Sequence, residues 1–160
     1  MERPRPTLLD DSRGAVFVEQ LVVFVPVLFF ILATMQLVEL YTGALVIRRA
    51  ASAAARAAVV VLPDNPAYYG GAALHAASGR RLEEVRAAAA QVLRANSHFR
   101  NPDAVDVAIR GNSGNGPLTA TVRAPFHCLA SFVSVVCGGA SRTLTATATY
   151  VYHGARYGYE

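Results

Sequence analysis

The chain has 160 residues, a formal net charge of +4, 53% apolar residues and only 16% charged residues. That is material for one domain, or for one domain and an anchor. Its basic side chains other than histidine are all arginine, scattered or in pairs such as Arg48–Arg49 and Arg80–Arg81; with no basic run or stripe to track a phosphate backbone, the composition excludes nucleic acid as the partner.

The first element is a short polar leader, Met1 to Gly14, followed by an almost uninterrupted apolar run from Ala15 to Val38. At ~1.5 Å per helical residue the run reaches roughly 36 Å, enough for a hydrocarbon core of about 30 Å. Its interruptions are Glu19 and Gln20 near the start, Pro26 inside, and Thr34 and Gln36 near the end. A buried helix of a soluble domain seldom runs this long without a polar face. A cleaved secretory signal has a shorter apolar region ending in small residues. Here Leu37-Val38-Glu39-Leu40-Tyr41 follows instead. The expectation is therefore a retained single membrane span over 15–38. Arginines stand on both sides of it (Arg3, Arg5 and Arg13 before; Arg48, Arg49 and Arg56 after), so the positive-inside rule gives no orientation.

The head of the span reads Ser12-Arg13-Gly14-Ala15-Val16-Phe17-Val18-Glu19. A carboxylate five residues past a glycine, inside an apolar helix, is costly and marks function more often than chance. This pattern resembles the processing site of type IV pilin-like proteins. It further resembles the TadE-like minor pseudopilins of tight-adherence pilus systems, whose N-terminus reads Arg-Gly-Ala, a few apolar residues, Glu, then an apolar stretch with a proline. Arg13-Gly14-Ala15, Glu19 and Pro26 carry the resemblance. It extends to about Val60 through an Ala/Arg-rich stretch with Tyr41, Arg48, Arg49 and Arg56. Gln20 departs from it, since an aromatic or other apolar residue is usual there.

The resemblance implies cleavage between Gly14 and Ala15 by a prepilin peptidase on the cytoplasmic side. It also implies a bacterial inner-membrane protein with one pass, its C-terminal domain in the periplasm or on a pilus. The implied partners are the membrane, the peptidase, other pilin or pseudopilin subunits and the pilus assembly platform. The implied role is structural, in pilus initiation, priming or tip. Physical chemistry adds a use for Glu19. Cleavage would leave an α-amino group on Ala15, and a neighbour's Glu19 could pair with it to set subunit register. Pro26 removes a backbone donor and is expected to kink or open the helix locally.

Leu40 to Val61 is expected to continue as helix, with Ala44, Ala51, Ala54, Ala55 and Ala58 as a smooth surface for close packing; high helix propensity alone would also account for the alanines. Pro63-Asp64-Asn65-Pro66 ends the helix, and Gly70-Gly71 lies in the loop that follows. A second helix is expected from about Ser78, its N-cap, to Ala95. Leu82, Val85, Ala89, Val92 and Leu93 share one face, and Arg80, Arg81, Glu83, Glu84 and Arg94 form a solvated one.

The period then changes to two. Val105, Val107 and Ile109 alternate with polar or small residues, as do Leu118, Ala120, Val122 and Ala124, and then Leu144, Ala146, Ala148, Tyr150 and Tyr152. Gly111 to Gly116 reads as a hairpin connection. The fold class is α+β: a long N-terminal transmembrane helix continuing into a helix outside the membrane, with a small three-stranded antiparallel sheet packed on helices, a pilin-like plan. The divisions are leader 1–14, span 15–38 and displayed domain 39–160. Cys128 and Cys137 lie between the second and third strands. Outside the cytoplasm they are expected to form a disulfide, closing a loop worth about 2–3 kcal/mol.

No reading as an enzyme emerges. His75, His98, His127 and His153 form no metal-binding spacing. His127 beside Cys128 lacks an orienting partner for nucleophilic catalysis, and no G-x-S-x-G elbow occurs. The sequence assigns no catalytic residue, no cofactor, no metal and no small-molecule substrate. The alternative to a pseudopilin is a permanently anchored binding or adhesion module, neither cleaved nor polymerised.

Overall fold

The computed structural model describes residues 12–71, 73–111, 116–128 and 141–151. One helix, α1 (Ser12–Val61), takes 50 residues and is therefore about 75 Å long. It is followed by α2 (Gly79–Arg94) and three strands, β1 (Asp106–Arg110), β2 (Pro117–His127) and β3 (Ser141–Val151). Short 3-10 turns at Pro66–Tyr69 and Pro102–Ala104 each begin with proline, whose fixed φ suits a first helical position.

The sheet has the order β1-β2-β3, antiparallel throughout. Val107 pairs with Val122, and Val122 with Ala146; Leu118 pairs with Tyr150 and Phe126 with Arg142. Alternation does its expected work. Leu118, Ala120, Val122, Ala124 and Phe126 are buried along β2, while Thr119 and Thr149 meet on the opposite face with hydroxyls 3.0 Å apart. The meander and its apolar face thus match the period-two reading, and the structure adds the register. Tyr152 lies outside the described residues.

The core forms where this face meets the outer part of α1. Gln36, Gly43, Ile47, Ala50, Ala51, Ala54, Ala55 and Ala58 are buried, at the three- and four-residue steps of a helical stripe. The expected alanine surface is therefore a packing surface, with Ala44 half-buried at its margin. From α2, Val85, Ala89, Ala90 and Leu93 close the same core.

Two details of α2 differ from expectation. Ser78 occupies the N-cap position, but its side chain makes no cap bond. Arg81 is not on a solvated face; it is fully buried. Its guanidinium donates to the carbonyls of Val61 and Leu62, the latter at 2.9 Å, and to that of Asp64 at 2.9 Å. The last carbonyls of a helix lack intrahelical donors and carry partial negative charge. Arg81 supplies donors and positive charge there, with its guanidinium carbon 4.6 Å from the centre of the Tyr69 ring.

Candidate functional site

The sequence directs attention to the head of α1, and the structure places those residues on a helix that nothing else among the described residues covers. From Val16 to Leu32 every position is exposed, Phe17 and Phe30 at about 70%. Exposure runs around the whole circumference, so no face is reserved for this chain's own domain. Large apolar side chains uncovered on all sides are unstable in water. One helix long and apolar enough to cross a membrane is present among the described residues.

Gly14 and Glu19 both fall within α1, and Glu19 is exposed amid apolar neighbours. A Cβ built on Gly14 would meet nothing within 4 Å. Packing among the described residues therefore gives no reason for glycine at that position. Ala15 is helical in backbone. The helix continues without interruption through Pro26, where the missing N–H frees the Val22 carbonyl. Thr34 and Thr42 donate their hydroxyls to the carbonyls of Phe30 and Val38 at 2.8 and 2.9 Å. Such i to i−4 bonds satisfy a hydroxyl without help from water, as an apolar medium requires. A shallow apolar groove lined by Phe30, Ile31, Thr34, Met35, Val38 and Glu39 closes the uncovered half.

The seam between α1 and the sheet begins at Gly43. A Cβ there would overlap the ring of Phe126, with Cδ2 at 2.7 Å, so glycine is what lets β2 approach this closely. The Phe126 ring is fully buried. It stacks on His98 at 5.0 Å and meets the Phe99 ring edge-on at 5.6 Å. The segment after α2 is tied to the end of β2 by His127 N–H donating to the His98 carbonyl at 2.9 Å, and His98 Nδ1 lies 3.1 Å from the His127 carbonyl. These two histidines therefore serve packing and backbone pairing. Gly43 and Phe126 were not singled out by sequence reasoning. A lone glycine in an alanine-rich helix was the available signal.

At the other end of the seam, Tyr150 accepts from Arg56 Nε at 2.9 Å and shares a hydrogen bond of the same length with Ser52. The Ser52 hydroxyl first, and then Arg56, hold the Tyr150 phenol below its usual range. Tyr69 shifts the other way. Burial, and then its hydrogen bond to Asp64 Oδ2 at 3.0 Å, raise it.

Cys128 is disulfide-bonded, and Cys137 lies outside the described residues. Asp103, at the entry to β1, is bound by Arg94 at 2.5 Å, with both side chains mostly exposed. Among the described residues no three His, Cys, Asp or Glu side chains converge as a metal site would require. No protein-family model, curated protein or solved structure matches the chain.

Proposed function

We propose that this protein is a membrane-held minor pseudopilin of a tight-adherence or related type IV pilus-like machine, acting structurally in pilus initiation, priming or at the tip. The observation that carries the reading is the uncovered inner half of α1 with Glu19 set inside it. Lipid satisfies the apolar surface, but a carboxylate at that depth calls for a partner. In this reading a prepilin peptidase removes 1–14, the span holds the subunit in a bacterial inner membrane, and the α+β domain stands in the periplasm. The new amino group of Ala15 on one subunit meets Glu19 on the next. The pair offsets part of the desolvation cost of each charge and fixes the axial offset between helices. Neighbouring pilin helices then take the place of lipid around α1. The role is non-enzymatic.

Glu19→Leu tests this. The variant should insert normally, since a charge has left an apolar segment. It should fail to co-purify with pilin subunits and fail to support piliation in a strain carrying only the variant. Normal partner recovery with normal piliation would remove the register role. N-terminal sequencing of the mature protein should begin at Ala15.

A second reading, an uncut anchored binding module, is favoured by one feature. The outer face of the sheet holds a polar depression lined by Asp106, Arg110, Thr119, Thr121 and Arg123. An intact leader on functional protein would shift the balance to it.

A further inference from the structure

The seam fixes how high the domain sits on its helix. Burial on α1 begins at Gln36, still inside the apolar run that ends at Val38. Phe126, the next-to-last residue of β2, rests on Gly43, five residues or about 7.5 Å beyond Val38 along the helix. A headgroup layer adds about 5–7 Å to each side of the hydrocarbon core. The end of the domain bearing Phe126 is therefore level with the outer edge of that layer. Tyr150 meets Ser52 and Arg56 further along α1, so β2 descends toward the membrane and β3 rises from it.

Among the described residues, two exposed arginines stand at this lower end. Arg142 pairs with Phe126 across the ladder and is exposed. Arg100 follows Phe99, whose ring touches Phe126, and is also exposed. His98 stacks on the Phe126 ring and contacts the His127 carbonyl. The acids nearby among the described residues are Glu39, half-buried on α1, Asp103, already bound by Arg94, and Asp106, which pairs with Arg123 across the ladder. Tyr41, 67% exposed, stands just past the apolar run, where amphipathic rings favour the interface.

We infer that the domain docks its lower end on the lipid surface, with Arg100 and Arg142 binding the phosphates of anionic headgroups. Because the domain is packed on α1, this second membrane contact fixes the tilt and rotation of the whole molecule relative to the membrane before any assembly. The inference rests on α1 spanning the membrane, and the site is continuous with that span. Two arginines near a lipid surface attract anionic headgroups, and salt screens the attraction within a Debye length.

The chain contains no tryptophan, so variants of the full chain carrying one introduced indole report depth cleanly. Leu28→Trp is the span reporter and Thr143→Trp the lower-end reporter. Val151→Trp is the far-end reporter, about 26 Å along β3 from the lower one at the rise of a strand. Each is reconstituted in vesicles of phosphatidylcholine, with or without phosphatidylglycerol. Quenching is read with acyl-brominated lipid and with headgroup-nitroxide lipid. The span reporter should be quenched by bromine. The lower-end reporter should be quenched by the headgroup label well above the far-end one, more strongly with phosphatidylglycerol and less in high salt. Adding Arg100→Gln and Arg142→Gln should lower its quenching to the far-end level while the span reporter stays unchanged. An unquenched span reporter would overturn the span itself. A quenched span reporter, with the lower and far ends indistinguishable, would overturn the docking alone. Lower-end quenching indifferent to phosphatidylglycerol and to the arginine changes would overturn the role of anionic lipid.

Discussion

The two halves of α1 have the same backbone and opposite surroundings. Residues 16–32 are exposed on every side, whereas 36–58 carry a buried stripe at helical spacing. The difference lies in side-chain size as much as in polarity. The inner half is built from Val, Leu, Phe and Ile. The outer half buries Gly43 and a run of alanines. Large apolar side chains fill a fluid solvent of lipid or adaptable helix neighbours. Small ones let a rigid sheet reach the backbone, as Phe126 does at Gly43. One helix thus presents two surfaces along its axis, large apolar side chains left uncovered and small ones packed against the sheet.

The sharpest way to break this comparison is to truncate one phenylalanine from each half of the contrast, the domain seam and the uncovered span. Phe126→Ala empties a fully buried site and should cost the domain about 3–5 kcal/mol in denaturant unfolding of the full chain in detergent. Phe30→Ala, at a position 72% exposed, should leave the domain transition in place. Equal losses would mean that the inner half is part of the domain core.

Next in size is the buried arginine at the top of the seam. Arg81→Met keeps much of the volume but strips donors from the carbonyls of Val61, Leu62 and Asp64. A loss of about 3 kcal/mol is expected. Arg81→Lys should recover only part of it, because one ammonium lacks the guanidinium's fork. Full recovery with lysine would reduce the contact to a simple charge on a helix end.

Gly43→Ala is smaller. The added methyl must displace the Phe126 ring, and about 1–3 kcal/mol of overpacking is expected from thermal or denaturant unfolding. Gly14→Ala, in open space, should leave domain stability unchanged. Any effect there belongs to processing, read by N-terminal sequencing.

The smallest effect is a pH profile. The Tyr69 phenol is raised in the folded state by burial and then by Asp64. Its contribution is therefore fully present below the unfolded value of 10.0 and lost as pH climbs through the folded value. Tyr150 is lowered, so its contribution has the opposite sign and grows as pH rises toward 10.0. Tyr69→Phe should flatten the alkaline decline in stability. A decline just as steep in the variant would assign it to other groups.

Sequence alone determined the elements whose signal is periodic or continuous. The apolar run, the helix beyond it, the second helix and the alternating strands each repeat a local pattern, and local patterns constrain backbone conformation and facing directly. The strand order and antiparallel sense were expected because sequential strands usually lie side by side in a sheet. The candidate site at the head of α1, Gly14, Ala15, Glu19 and Pro26, was proposed from the sequence because a carboxylate in an apolar helix is costly.

Only the tertiary structure decided where distant segments meet. Arg81 looks in sequence like any charge on an amphipathic helix, and its burial depends on α1 ending beside α2 with open carbonyls. Gly43 reads as a mild helix fault until Phe126 is seen against it. The level of the domain on α1 is set by such contacts along the whole seam, from Gly43 against Phe126 to Ser52 and Arg56 against Tyr150. Such contacts join residues well separated along the chain, 17 or more positions apart, and no local period encodes them.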